Sequence, residues 1–231
     1  MSQLDTLREE VYEANLELVR RGLVTYTFGN ASGLLRDEDL VAIKPSGVPY
    51  EKLRPKDLVI VRLDGSLVEG TMRPSSDLPT HLVLYRAFQA MGGVVHTHSS
   101  FATAWAQAGR EIPCLGTTHA DYFHGPVPAT APLQPSEIEG DYERNTGDVI
   151  VRRFAKLDPM AFPAVLVAGH APFCWGPTAD AAAHTAVILE EIARMAYYTV
   201  TLNAAAEPIS PALHNKHFLR KHGAGRYYGQ P

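Results

Sequence analysis

The chain has 231 residues and a formal net charge of −4. A chain of that length buries a full core without staples, and its mild acidity removes any global electrostatic reason to bind nucleic acid or an anionic membrane. Its two cysteines, Cys114 and Cys174, stand far apart without a second-cysteine motif. They read as thiols of a reducing compartment, not as a disulfide framework or a cysteine zinc site. Asp5, Glu9 and Glu10 fall where a signal peptide would have its apolar core, and no apolar run approaches the ~18 residues of a membrane span. A cytoplasmic protein is expected.

Along the chain, Leu4, Leu7, Val11, Ala14 and Leu18 recur at spacings of three and four, which predicts an amphipathic helix over 4–21 with Gly22 as its stop. Val24 to Phe28 reads as a strand feeding a turn at Gly29-Asn30-Ala31-Ser32-Gly33. Val41 to Ile43 reads as a short strand broken by Lys44-Pro45-Ser46-Gly47. Leu58 to Leu63 and Ser66 to Glu69 flank Asp64-Gly65, a two-residue hairpin signal. Antiparallel pairing of these early strands argues against a Rossmann-type domain, and no glycine fingerprint or Walker loop occurs. Helices are expected over Pro79–Met91, Thr103–Ala108, Thr146–Lys156 and Thr178–Ala206. The proline-rich stretch from Pro113 to Pro135 is expected to be ordered loop carrying short strands. Ala164 to Ala168 reads as a buried strand running out at Gly169-His170. No repeat, low-complexity block or linker interrupts the pattern, so one α+β domain over 1–231 is expected.

The chemistry centres on His96-Thr97-His98, at the end of the apolar run Met91 to Val95. On a strand, residues two apart project to one side, so both imidazoles can reach one divalent cation. His170, at a strand end beside glycine and proline, is a third candidate ligand, or a histidine capping its strand. Asp77, just before the helix that leads to His96, reads either as an N-cap or as an oxygen ligand beside three imidazoles. Nitrogen and oxygen donors without thiolate suit zinc, manganese or cobalt. Gly29-Asn30, Lys44 with Ser46-Gly47, and Ser75-Ser76 supply small donors and an ammonium. Each taken alone is a turn; together they form a phosphate cradle. In Thr117-Thr118-His119-Ala120-Asp121, Asp121 is a candidate proton-transfer residue or a turn aspartate. The basic, aromatic tail from His214 reads as an arm that docks on something, such as a neighbouring subunit.

These segments resemble the L-ribulose-5-phosphate 4-epimerases of the class II aldolase/adducin-head superfamily. The shared motifs are Gly29-Asn30-Ala31-Ser32, Lys44-Pro45-Ser46-Gly47, Glu69-Gly70, Pro74-Ser75-Ser76-Asp77 with Pro79-Thr80-His81, Gly93 through His98, Thr117 to Asp121, and Tyr227-Tyr228-Gly229-Gln230. The resemblance implies a three-layer α/β/α fold, a mainly antiparallel sheet between helices, in a homotetramer with active sites between subunits. It implies zinc held by Asp77, His96, His98 and His170. The substrate phosphate would be gripped by Gly29, Asn30, Ser46, Gly47, Ser75 and Ser76, with Lys44 nearby. Asp121 and Tyr228, the latter from the adjacent subunit, would be the proton-transfer pair, and His217 matches a tail histidine near the site. One departure is Val167-Ala168-Gly169 before His170, where the family carries a further histidine.

The implied reaction interconverts L-ribulose 5-phosphate and D-xylulose 5-phosphate. The inverted carbon has no acidic C–H, so deprotonation and reprotonation fail. A retro-aldol break of C3–C4 succeeds, because a chelated metal stabilises the enediolate while the aldehyde fragment turns and is re-added on its other face. A class II aldolase of the L-fuculose 1-phosphate type is the nearest rival reading, but it carries glutamate where Asp77 stands. A methylthioribulose-phosphate dehydratase is more distant, and a non-catalytic adducin-head module conflicts with three intact histidines.

Overall fold

A computed structural model describes residues 2–228 and places a seven-stranded sheet between two helical layers. Helix α1 (Gln3–Arg20) opens with a capping box, in which Ser2 and Asp5 satisfy each other's free backbone donors. It buries Leu7, Val11, Ala14 and Leu18, and Gly22 follows in the left-handed region at φ +67°. The strands are β1 (Asn30–Leu35), β2 (Leu40–Ile43), β3 (Val59–Arg62) and β4 (Leu67–Glu69), then β5 (Gly93–His96), β6 (Ala164–Leu166) and β7 (Pro172–Gly176). Their order is β4-β3-β2-β1-β5-β7-β6, and every neighbouring pair is antiparallel.

The helices are α2 (Leu78–Ala87), α3 (Ser100–Gln107), α4 (Thr117–Ala120), α5 (Pro135–Glu139), α6 (Tyr142–Arg153), α7 (Ala179–Leu202) and α8 (Pro211–His222). Strand alternation divides the core. Ala42, Ile60, Val95 and Cys174 face α1, α3 and α7, while Val41, Ile43, Val94, Phe173 and Trp175 face α2 and α6. Among the described residues no helix is long and apolar enough to cross a membrane.

Several expectations are corrected. Val24 to Phe28 is not a strand: Tyr26 sits at φ +54° and the Phe28 amide closes a turn onto Thr25. The strand is instead the glycine-containing segment from Asn30. Small residues serve there because α1 lies directly on β1, and a Cβ on Gly33 would stand 2.7 Å from Val11 and 2.9 Å from Leu7. Helix α2 stops at Ala87, not Met91, because Arg36 takes over the carbonyls of Tyr85, Phe88 and Met91. The strands expected in the proline-rich stretch reduce to isolated bridges, Ile112 with Val127 and Ala129 with Leu166, with α4 and α5 in the same stretch. Helix α6 starts at Tyr142, four residues before the expected Thr146. Strand β7 was not foreseen, since its opening proline masks it; Pro172 is tolerated as the first strand residue. Nor was α8, although Ser210 followed by Pro211 is an N-cap signature, and Ser210 accepts from the Leu213 amide.

The closest approach of helix to sheet lies at the start of α7, where Thr178 caps the helix. A Cβ added to Gly93 would meet the Thr178 carbonyl oxygen at 2.2 Å, a backbone atom that cannot swing aside. Gly93→Ala is therefore expected to cost about 3 kcal/mol or more and to lower Tm by about 6–12 °C in calorimetry. Gly116→Ala, whose new methyl meets nothing within 4 Å, should stay within about 0.5 kcal/mol of the parent.

Candidate active site

The site forms where β1, β5 and β7 end together. Antiparallel register sets Asn30 opposite His96, and His96 opposite Phe173. His96 is the last residue of β5, His98 lies two beyond it, and His170 occupies the turn between β6 and β7. Among the described residues, one cluster offers ligand atoms all within 4.8 Å of one another: His96, His98 and His170. His96 Nε2 and His98 Nε2 are 3.1 Å apart.

The arrangement fits a divalent cation. His96 Nδ1 donates to the Pro172 carbonyl at 2.9 Å, and Phe173 stacks on the ring at 4.2 Å. That donation fixes the tautomer and leaves the Nε2 lone pair facing the other imidazoles. Tyr142 Oη lies 3.4 Å from His170 Nδ1, within hydrogen-bond reach of that ring. Burial, then His96 and His98, push the His170 pKa down to about 4; burial and His96 lower that of His98. At neutral pH His98 and His170 therefore favour the neutral form, with a lone pair to offer.

Asp77 is not part of that cluster, but it lines the same cavity of about 380 Å³ with the three histidines, Gly29, Ser76, Tyr142 and Glu143. It occupies the N-cap position of α2 without capping it. Its Oδ2 accepts instead from Asn30 Nδ2 at 2.6 Å. Burial alone would raise its pKa, but the nearby His96 and His81 and the Asn30 hydrogen bond hold it below the usual carboxylate range.

The turns with small donors converge beside it. Asn30 Nδ2 also donates to Ser75 Oγ at 3.0 Å, the Ser75 amide to the Lys44 carbonyl at 3.0 Å, and the Ser46 amide to the Arg73 carbonyl at 2.9 Å. Asn30 Oδ1 is buried with no partner among the described residues, an acceptor free for a ligand hydroxyl. Lys44 is only 2% exposed, with Nζ 4.7 Å from the centre of the Tyr50 ring and, among the described residues, no carboxylate partner. Burial lowers its pKa to about 8. Ser46 and Gly47 are exposed beside it.

Asp121, His217 and Tyr228 gather elsewhere on the chain. Asp121 follows α4, and Arg220 grips it through two hydrogen bonds, Nε to Oδ1 at 2.9 Å and Nη2 to Oδ2 at 2.7 Å. His217 Nδ1 meets the same Oδ1 at 3.1 Å. Within the chain His217 therefore stands with Asp121. The Tyr228 ring lies 4.7 Å from the Arg220 guanidinium. None of these residues lines the histidine cavity. The tail expected to dock on a neighbour packs as α8 on α4 of its own chain; Gly229-Gln230 of the closing motif lie outside the described residues. Sequence reasoning missed Tyr142 and Glu143, because α6 was started too late, and Arg220, because the capped helix carrying it was read as an arm.

Residues 9–197 match the model of the class II aldolase and adducin N-terminal domain. Over 98% of the chain and the whole of the relative, 52% of residues are identical to the L-ribulose-5-phosphate 4-epimerase UlaF of Salmonella paratyphi B. The same figures hold for the protein of that name in Salmonella typhi. Among solved structures, an L-fuculose 1-phosphate aldolase superposes with TM-score 0.78 at 21% identity, over 94% of this chain and 95% of its own. YgbL of Klebsiella pneumoniae, titled a putative aldolase/epimerase/decarboxylase, gives 0.73 at 27% identity, covering 94% and 99%.

Titration of the metal-free protein with a divalent cation, read by competition with a chromophoric chelator, should show one tight equivalent per chain. His98→Ala and His170→Ala should each weaken it about 100-fold or more, and Tyr142→Phe about tenfold.

Proposed function

Because the chain belongs to the class II aldolase and adducin family, we propose that it is an isomerase, an L-ribulose-5-phosphate 4-epimerase that forms D-xylulose 5-phosphate through reversible C3–C4 cleavage. The observation that carries this reading is one cavity holding a three-histidine cluster beside the Asn30–Ser75–Lys44 turns. Full-length relatives at half identity, and an aspartate at position 77 in place of the glutamate of fuculose-phosphate aldolases, favour the epimerase over the aldolase.

In this reading His96, His98 and His170, joined by Asp77, hold the metal. Zinc is proposed, with manganese or cobalt as substitutes, since all donors are nitrogen or oxygen. A divalent cation there supplies Lewis-acid stabilisation of the negative charge that builds up on the ketone fragment. Gly29, Asn30, Ser46, Gly47, Ser75 and Ser76 bind the phosphate, and the uncompensated Lys44 ammonium supplies its counter-charge. That grip keeps the cleaved aldehyde phosphate in place while it rotates about its own bond and presents its other face. Asp121 and Tyr228 move the proton of the C4 oxygen. One takes it as C3–C4 breaks, and the other returns one to the new alkoxide on the opposite face.

Asp121 and Tyr228 lie outside the cavity of their own chain, so the complete site joins the histidines of one subunit to the proton pair of another in a homotetramer. The exposed apolar side chains Met195, Tyr198 and Leu202 of α7 and Leu213 and Leu219 of α8 provide apolar surface for that contact. Buried free thiols at Cys114 and Cys174 suit the cytoplasm.

The direct assay supplies L-ribulose 5-phosphate to the metal-loaded protein and follows D-xylulose 5-phosphate with and without a chelator. Chelator-sensitive epimerisation is expected. Free dihydroxyacetone and glycolaldehyde phosphate as the main products would make the protein an aldolase instead. Shared sites are tested by complementation. His98→Ala and Tyr228→Phe, each inactive alone, should recover about a quarter of parental activity when co-expressed and randomly assembled in a ring. No recovery would place every catalytic group within one chain.

A further inference from the structure

Asp121 cannot act as isolated loop carboxylates do, because both of its oxygens are occupied. The Arg220 fork engages Oδ1 and Oδ2 at 2.9 and 2.7 Å, in the bidentate geometry that fixes a carboxylate in plane. The same residue reaches the tyrosine. The backbone carbonyl of Arg220 accepts the amides of Tyr227 and Tyr228 at 3.0 and 3.2 Å, and its guanidinium lies under the Tyr228 ring. One arginine on α8 therefore touches both members of the proposed proton-transfer pair, through its guanidinium and its backbone carbonyl.

We infer that Arg220 is the positioning residue of the proton-transfer pair, assembling Asp121 and Tyr228 into one unit on α8 before the unit meets a metal cavity. This rests on the epimerase reading. The surroundings support it from every side. His222 Nε2 donates to the Asp121 carbonyl at 2.9 Å, and Lys221 Nζ stands between the rings of Tyr122 and Tyr228, at 3.9 and 4.5 Å from their centres. The groups facing Asp121 are thus His217, Arg220, Lys221 and His222 from α8 and Tyr228 from the tail. On α4, just before Asp121, His119 turns away, with Nε2 on the Gly125 carbonyl.

The chemistry gives this arrangement a purpose. A proton must leave and return on opposite faces of one carbon, so the two groups must hold a fixed separation while the substrate turns between them. A flexible acid and a flexible base would lose that relation; a shared guanidinium keeps it. The fork also decides the protonation state. Burial of Asp121 would raise its pKa, but the Arg220 and His217 hydrogen bonds and the Lys221 charge outweigh burial and lower it. With the folded value depressed, the carboxylate persists as the pH falls and is lost only on passing that lowered value.

The test compares Arg220→Gln and Arg220→Lys with the parental metal-loaded enzyme on L-ribulose 5-phosphate, recording kcat, KM and the pH profile of each, with Tm as a folding control. Arg220→Gln should reduce kcat about 100-fold with KM within about threefold, and its acid limb should move up by about one pH unit. Arg220→Lys, which keeps the charge without the fork, should restore the acid limb but only part of kcat. Loss of Tm with an unmoved acid limb and near-parental kcat in the folded fraction would overturn the inference and leave Arg220 a structural clamp. Absence of epimerase activity in the parent would instead overturn the epimerase reading, so the two failures are told apart.

Discussion

The antiparallel register of β1, β5 and β7 is the constraint on which the site depends. Asn30, His96 and Phe173 stand side by side across three strands because each pair is hydrogen-bonded in that register and no other. A slip of one residue would turn His96 to the α1/α7 face and put Val95 in its place. The strand ends are held by the same logic. Pro172 opens β7, has no amide to give to the ladder, and offers its carbonyl to His96 Nδ1. Gly29 enters at φ +72°, where a Cβ would strike the His96 carbonyl at 2.7 Å. The imidazole is therefore oriented by backbone atoms of the neighbouring strands, the least movable partners a protein can supply.

Charge is distributed around that frame in two groups of opposite need. Burial lowers the pKa of His98 and His170 in the cavity, and among the described residues no carboxylate stands against buried Lys44 beside it, so the region suits an anion at one end and a cation at the other. Beneath it, His81 is fully buried, hydrogen-bonded to Ser32, which also meets Tyr85, and burial keeps its pKa at about 3. The floor of the site thus adds polar contacts without adding charge. Around Asp121 the balance is reversed: one carboxylate is crowded by an arginine, a lysine and two histidines. Such an excess of donors holds a carboxylate in one orientation and keeps it ionised.

Much of this was legible in the sequence, and the failures have causes. The His-x-His pair, His170 and Asp77 were readable because their chemistry is rare outside a site and their spacings match strand and turn geometry. Of the two readings of Asp77, the N-cap is not the one seen, since its carboxylate turns to Asn30 and leaves α2 uncapped. The strand at Asn30–Leu35 was misread because its composition answers to the helix lying on it, not to strand propensity; tertiary packing overrode the local signal. Tyr142 and Glu143 were lost to a helix start misplaced by four residues. Asp121 and Arg220 are ninety-nine residues apart, and no local pattern in a single sequence brings such a pair together.

The same separation explains why α8 must be an ordered helix instead of a loose arm. A tail that only supplied a tyrosine could be disordered until a partner captured it, at the cost of ordering many residues on each encounter. Here the ordering is completed within the chain. Ser210 caps the helix, His214 fastens to the Phe123 carbonyl, His222 to that of Asp121, and Phe218 stacks between His124 and His222 at 4.5 Å from each. Three side chains on successive turns of one face, His214, Phe218 and His222, are tied to residues 121–124. What a neighbouring subunit would then receive is a rigid body carrying an oriented carboxylate and phenol, and its docking would order nothing further in them. Catalysis divided between chains, as proposed, would be tied to assembly. A lone chain would then keep the proposed metal ligands and proton pair intact but apart, and only the proposed ring would bring them to the same carbon.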